Sequence, residues 1–491
     1  MTAADLTNPD DKRRWYALAL LAVAQFVVVL DASIVNVALP SIGADLHFSQ
    51  ANLAWVVNAY VLTFGGFLLL GGRMADLLGR RRVFIGGLIL FALASLAGGL
   101  AQSEGQLIVA RAVQGLGAAI LSPAALSIVT TIFTDGADRN RALGVWGAVA
   151  GSGGAAGVLL GGVLTDTLGW QWVLFVNTPI GLAAAALATR LIPESRSTDA
   201  ARSFDVAGAF TVTAGLSLLV YALVDANHAG WGSTQTVGLL ALSVALLVAF
   251  VAIELRAAHP LAPFRFFRSR TVTGSNVVAL LIGASLFSMF FFISLYMQQV
   301  LGYAPLKAGF AYLPLALTIM ISAGVASQLT TRIGFKPVLA AGLVFVAAGL
   351  LWFSRVSPDG SYLGDILFPS LLAAIGLGLS FVSVTIGAVA GVSERESGLA
   401  SGLINTAQQI GGALGLAILA TVANSRTDSL LSAGGTARTR ALTEGFQSAF
   451  AVGVGFALLG LVLALVLIRG SDSRAHARQA AAEGQPAQAP A

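Results

Sequence analysis

Asp31 is a carboxylate in the middle of a largely apolar run from Trp15 to Ala38, and Arg111 is a guanidinium near the start of another, 106–132. An acid at the centre of a membrane span costs roughly 2.5–3.5 kcal/mol on insertion scales, so it marks a functional position by default. The chemistry open to such a pair is the binding and release of a proton. Burial and a neighbouring positive charge act on a carboxyl group in opposite senses, so a small change in their separation loads or unloads the proton. From the helical rise, Asp31 lies about 24 Å from one edge of its run and about 10 Å from the other. Arg111, entering from the opposite side, lies about 8 Å deep. The two charges therefore share a depth. The plainer alternative is a static ion pair that fixes two helices.

Positioning these residues takes membrane-spanning elements. The 491 residues are 56% hydrophobic and 10% charged, against about 25% charged in soluble domains. Apolar segments recur at 15–38, 51–71, 83–101, 106–132, 142–165, 172–191, 206–224, 237–255, 272–297, 308–330, 337–354, 365–391, 398–423 and 446–468. Each is near the length of about 20 residues that a spanning helix needs. The runs are continuous rather than alternating, which predicts helices and not a β-barrel. The first run is too long for a signal-peptide core and reads as a retained span. With the N-terminus in the cytoplasm, 22 of the 28 basic residues fall on the cytoplasmic side and five, Lys307, Arg355, Arg426, Arg438 and Arg440, fall outside. Only Arg111 is left within the membrane. That asymmetry is the expected one for an even number of spans with both ends inside. The chain thus reads as an all-α polytopic membrane protein. Its parts are a cytoplasmic N-terminus at 1–14, six helices in 15–192, two more in 193–256, six in 272–469, and an Ala/Gln/Pro-rich tail at 470–491 expected to be disordered.

The connection after the second span runs Gly71-Gly72-Arg73-Met74-Ala75-Asp76-Leu77-Leu78-Gly79-Arg80-Arg81-Arg82. Orientation alone explains its arginines. It does not explain an acid flanked by glycines in a tight turn, which can pair with a basic side chain or a helix N-terminus. Through Gly72, Asp76, Gly79, Arg80 and Arg81 the loop resembles the signature between the second and third helices of major facilitator superfamily transporters. The resemblance implies a cytoplasmic gate. Leu30-Asp31-Ala32-Ser33-Ile34-Val35-Asn36-Val37-Ala38-Leu39-Pro40 is similar to the first-helix signature of the fourteen-helix drug:proton antiporters within that superfamily. Arg111-Ala112-Val113-Gln114-Gly115-Leu116-Gly117 is similar to their fourth-helix signature, whose arginine is implicated in proton coupling. The segments around Gln298-Gln299, Lys307-Ala308-Gly309 and Gln408-Gln409 extend the likeness over all but the tail. It implies the major facilitator fold with 14 transmembrane helices in a 6+2+6 order.

The fifth span carries Gly147, Gly151, Gly153, Gly157, Gly161 and Gly162, with rows at four-residue spacing. Close helix packing is the first reading of such rows, and the resemblance adds a bendable, leak-tight antiporter helix. Three positions depart from the family pattern. Val158 stands where a proline often follows the glycine, Gln171 stands where arginine is common, and Thr331 replaces the acid expected before Gly334.

Several classes of function are excluded by residue type. There is no cysteine, and His47, His228, His259 and His476 form no metal-ligand spacing. Lys12, Lys307 and Lys336 are followed by Arg, Ala and Pro, so a phosphate-cradling Lys-Ser/Thr loop is missing and an ion gradient is the remaining energy source. Gly151-Ser152-Gly153-Gly154-Ala155-Ala156 fits a dinucleotide fingerprint in letters but follows no strand. Candidates to line a substrate cavity are Gln25, Asn58, Gln114, Phe287, Phe291, Asn405 and Gln408, polar or aromatic groups in apolar helices. With one central carboxylate, a monovalent cationic or neutral lipophilic cargo is expected. The sequence therefore predicts a non-enzymatic, cofactor-free, monomeric exporter of hydrophobic drugs or antibiotics in a bacterial plasma membrane, driven by protons and without a nucleic-acid partner. A dedicated exporter of one endogenous metabolite is the nearest alternative. A membrane sensor on the same scaffold is more distant, since Asp31, Asp76 and Arg111 are all kept.

Overall fold

A computed structural model describes residues 12–48, 55–133, 136–195, 205–257, 267–390, 392, 397–433 and 437–483. Regular structure among the described residues is helical. In chain order the helices are α1 (Arg13–Asp45), α2 (Trp55–Leu78), α3 (Arg80–Gly99), α4 (Glu104–Ile132), α5 (Gly136–Leu168), α6 (Trp172–Phe175), α7 (Asn177–Leu191), α8 (Val206–Ala229) and α9 (Thr234–Glu254). They continue as α10 (Arg270–Leu295), α11 (Pro305–Ala311), α12 (Leu313–Ile333), α13 (Phe335–Phe353), α14 (Phe368–Val389), α15 (Ser397–Ser432), α16 (Arg438–Leu467) and α17 (Gly470–Glu483). Wider π-type turns at Tyr296–Val300 and Tyr362–Leu367 prolong α10 and precede α14.

Over the described residues the fourteen expected segments are mainly helical. Among the described residues eleven helical stretches are long and apolar enough to cross a membrane, or twelve when α2, bent by 51° between Leu68 and Leu70, is taken as one span. In α5 and α8 the apolar stretches, Ala156–Leu168 and Ala207–Leu223, are shorter than that. The helix α5 lies against α1, α12 and α14, and its glycines allow close approach there.

Packing repeats along the chain. In the first set α1 lies on α5 and α7, α4 lies on α2 and α3, and α3 lies on α7. In the second set α10 lies on α15 and α16, α14 lies on α12 and α13, and α13 lies on α16. The sets meet where α5 touches α12 and α14, and where α15 touches α2 and α4. The α8–α9 hairpin leans on both, through α2 and α15. Trp55 of α2 stacks on Tyr221 of α8 at 5.4 Å, and the Trp231 Nε1 donates to Thr421 Oγ1 of α15 at 2.8 Å. Lipid is as apolar as leucine, so helices in a membrane associate through close packing rather than through the hydrophobic effect. Small residues supply it here, with Gly71 against Ala119, Gly117 against Phe91, and Gly411 against Leu280.

The tail differs from expectation. Gly470–Glu483 is a helix, not a disordered segment, while 484–491 lie outside the described residues. Composition alone would leave this segment loose, but α17 is docked. Ser473 and Ala477, one turn apart, are buried, and the helix touches α5, α12 and α13. Ser473 Oγ accepts from Lys336 N at 3.0 Å, and Asp472 accepts from Thr271 Oγ1. His476 Nε2 meets Asn140 Oδ1 of α5 at 3.0 Å, while Asn140 Nδ2 donates to Thr331 Oγ1 of α12 at 2.8 Å. Thr331, where an acid is expected, thus sits at a joint between the two sets and the tail.

Candidate functional site

Asp31 and Arg111 come together, both fully buried, with Arg111 Nη1 2.6 Å from Asp31 Oδ2. The helical repeat puts Gln114 one turn beyond Arg111 on the same face of α4. Gln114 Nε2 donates to Asp31 Oδ1 at 2.9 Å, and its Oε1 accepts from Arg111 Nη1 at 2.7 Å. A third helix reaches the same oxygen, since Asn177 Nδ2, at the start of α7, donates to Asp31 Oδ1 at 2.7 Å. Ser95 of α3 closes the cluster: its Oγ accepts from Gln114 at 3.0 Å and from Asn177 at 3.1 Å, and donates to Leu174 O at 2.8 Å. Arg111 Nε donates to Val56 O at 3.0 Å, and the guanidinium lies 4.5 Å from the centre of the Tyr60 ring. Two helices, α4 and α7, thus supply partners to one carboxyl group away from solvent, and α2 and α3 hold those partners in turn. A charge in such a place is held only while its hydrogen bonds are met.

The sequence reading missed Asn177 and Ser95. Ser95 carried no signal. Asn177 is a polar residue near the start of a mainly apolar segment, Trp172–Leu191, and the same rule that singled out Gln114 would have found it. Gln114 and Gln25 do not open onto a cavity as expected. Gln114 is 0% exposed and committed to Asp31 and Arg111, and Gln25 is 4% exposed and accepts from Ser122 Oγ at 2.8 Å, tying α1 to α4. Asn405 is buried and Gln408 half-buried, both on α15. Phe291 is exposed, with its ring edge-on to Phe292. The side chains of Asn58 and Phe287 lie outside the described residues.

The loop after α2 forms a second cluster. Asp76 and Arg80 are both buried, and Arg80 Nη2 lies 3.1 Å from Asp76 Oδ1 while its Nη1 donates to Thr131 Oγ1 at 2.7 Å. Gly79 has φ +107°, a left-handed value that admits glycine. A Cβ there would fall 2.6 Å from Glu194 Oε1. Glu194, just past α7, accepts from Arg81 N at 3.2 Å and lies 3.7 Å and 3.5 Å from Arg81 Nε and Arg82 Nε. The expected partner of Asp76 is therefore the neighbouring Arg80, and the outer arginines turn to Glu194. Gly72 lies buried within α2 beside Gly71.

On α5, Gly153, Gly157 and Gly161 face α1 along Val29–Val37, the stretch that carries Asp31. A Cβ on Gly157 would stand 1.9 Å from Ser33 Oγ and 2.7 Å from Leu30 O. Gly147 faces Val382 of α14 on the other side. Gly151 and Gly162 lie in the same helix, which runs unbroken through Val158. Gln171 still does part of an arginine's work, with its Nε2 3.4 Å from Asp45 Oδ2, to which Trp170 Nε1 donates at 2.7 Å.

The model of the Major Facilitator Superfamily matches residues 21–416, a span that contains every cluster above. The chain belongs to this superfamily. The puromycin resistance protein pur8 of Streptomyces alboniger is 43% identical over 473 residues, covering 95% of this chain and 93% of that protein. The cephamycin export protein CmcT of Amycolatopsis lactamdurans is 46% identical over 414 residues, 84% of this chain and 85% of that one. Among solved structures, the human organic anion transporter MFSD10 (TETRAN) superposes with a TM-score of 0.63 at 14% identity, covering 93% of this chain and all of that one. That likeness carries the fold. The protein is a multi-pass membrane transporter with the superfamily's helical architecture.

Proposed function

We propose that this transporter exports small lipophilic antibiotics or drugs, cationic or neutral, from a bacterial cytoplasm in exchange for protons. The observation that carries the reading is the Asp31–Arg111 pair at 2.6 Å, fully buried within the first and fourth spans. An ionisable pair kept at such depth belongs to an ion or substrate pathway far more often than to the scaffold. Asp31 binds the proton, Arg111 tunes how tightly, and the Asp76–Arg80 loop gates the cytoplasmic side. Cargo binds between two six-helix halves that rock about it, with α8 and α9 as an added pair that brings the spans to fourteen. The protein acts as a monomer in the plasma membrane, with both termini in the cytoplasm. Two relatives named for export of, or resistance to, puromycin and cephamycin support antibiotic cargo. Because each is named for one compound, a dedicated exporter is the second reading.

The decisive assay is efflux from cells or vesicles with the proton gradient intact and then collapsed, for the wild type and Asp31→Asn. Export is expected to need the gradient and to be lost in Asp31→Asn, with the variant still folded in the membrane. Uphill export by Asp31→Asn at the wild-type rate would overturn the assignment. A toxin panel separates the two readings of cargo: protection against many unlike compounds favours the multidrug exporter, and protection against one favours the dedicated exporter.

A further inference from the structure

Every group aimed at Asp31 is a hydrogen-bond donor. Oδ2 faces Arg111 Nη1 at 2.6 Å, and Oδ1 faces Gln114 Nε2 at 2.9 Å and Asn177 Nδ2 at 2.7 Å. This arrangement suits a carboxylate and conflicts with a carboxylic acid, whose O–H needs an acceptor. A proton can therefore settle on Asp31 only if one neighbour changes from donor to acceptor. Arg111 has no acceptor to offer. Gln114 is held at both ends, because its Oε1 accepts from Arg111 at 2.7 Å and its Nε2 also donates to Ser95 at 3.0 Å. Turning it over would set an N–H against the guanidinium. Asn177 is different. Its Oδ1 is buried and has no hydrogen-bond partner, and apart from Asp31 its Nδ2 donates only to Ser95 Oγ, at 3.1 Å. Turning this amide over gives up one long contact and brings an idle acceptor to Asp31 Oδ1.

We propose that Asn177 is a positioning residue for proton exchange at Asp31, whose amide donates to the carboxylate and turns over to accept from the acid. The inference rests on the reading of Asp31 as the proton site. The charged and titratable groups facing Asp31 are Arg111 of α4 and Tyr60 of α2. From α3 and α7 it meets Ser95 and Asn177, and α5 presents its glycine row to α1. No bond to carbon is made or broken, and the proton comes from and returns to water.

Infrared difference spectra between alkaline and acid pH, on the purified full-length protein, test this. In the wild type the carboxylic-acid C=O band is expected to rise together with a shift in a side-chain amide C=O band. The chain holds 23 acidic residues, so the Asp31 share is the part of both changes that is absent from Asp31→Asn, and within that share the amide change alone vanishes in Asn177→Ser and Asn177→Leu. Asn177→Leu moves the midpoint of the carboxyl band about one pH unit toward higher pH, a tenfold change in proton affinity, because the carboxylate loses a donor. Asn177→Ser moves the midpoint the same way, since its hydroxyl ends one bond short of the Asn177 amide nitrogen that donates to Asp31. A carboxyl band without an accompanying amide shift in the wild type overturns the proposal, as does an unmoved midpoint in Asn177→Leu. Should Asn177→Leu fail to fold, the wild-type and Asn177→Ser spectra still decide. A carboxyl change of the same size in Asp31→Asn as in the wild type refutes the proton site itself, which is a different failure.

Discussion

Two glycines of α5, three residues apart, should respond in opposite ways to the same methyl group. At Gly157 a Cβ would lie 2.7 Å from Leu30 O and 3.0 Å from Ile34 N, both backbone atoms of α1, besides 1.9 Å from Ser33 Oγ. The Ser33 side chain can rotate away, but the backbone cannot. Ordinary contact begins at 3.4 Å, so α1 and α5 must part by 0.7 Å at Leu30 O, one residue before Asp31. At Gly154 the nearest atom is Phe290 Cε1 at 3.7 Å, an ordinary contact. Both substitutions gain about 0.8–1 kcal/mol of helix propensity, so that term cancels when the variants are compared with each other. What remains is overpacking at Gly157, about 1–3 kcal/mol. Reversible unfolding of the purified variants should therefore place Gly157→Ala about 1–3 kcal/mol below Gly154→Ala. Export by Gly154→Ala should stay near wild type. Export by Gly157→Ala should fall about tenfold, because roughly 1.4 kcal/mol at a site that must change geometry is worth that factor. Equal stability and equal export in the two variants would refute the claim that α5 is pressed onto the Asp31 segment.

Arg80→Ala removes one ion-pair partner of an acid that is 1% exposed, and should cost about 1–3 kcal/mol. Arg82→Ala, whose side chain is 72% exposed, should cost within about 0.5 kcal/mol. Denaturant titration of the pair checks both. Gly334→Ala should loosen α17, because φ is +87° there and a Cβ would fall 2.4 Å from Ser473 Oγ. Gly324→Ala, with open space around it, should not. Hydrogen exchange over residues 470–483 measures the difference, and unchanged protection in Gly334→Ala would show that the tail is held by other contacts.

The fold was legible because a membrane imposes one rule: long apolar runs must be helices. The family likeness then supplied the pairing of the first and fourth spans that brings Asp31 to Arg111. The rest of the site was hidden for identifiable reasons. Ser95 and Asn177 come from α3 and α7, and only three-dimensional packing brings them to a carboxylate on α1. Glu194 read as part of a charged connection, yet it is the residue that folds Arg81 and Arg82 back onto the end of α7. At Gln25 and Gln114 the polar side chain signalled a buried partner, Ser122 and Asp31, that the sequence could not name. In α17 low apolar content suggested disorder, while two small buried residues and three hydrogen-bonded contacts were enough to dock it.

The placement of α17 also sets an order of assembly. Chains emerge from the ribosome from the N-terminus onward and fold as they emerge. The helix touches α5, α12 and α13, all of which are synthesised before it. Its contacts with α12, α13, Lys336 and Thr271 are all to the second set, and the His476–Asn140 contact reaches across to the first. The Asn140 bridge between His476 and Thr331 forms only when α5 and α12 are together, so among the described residues α17 completes a joint that both sets must already have made.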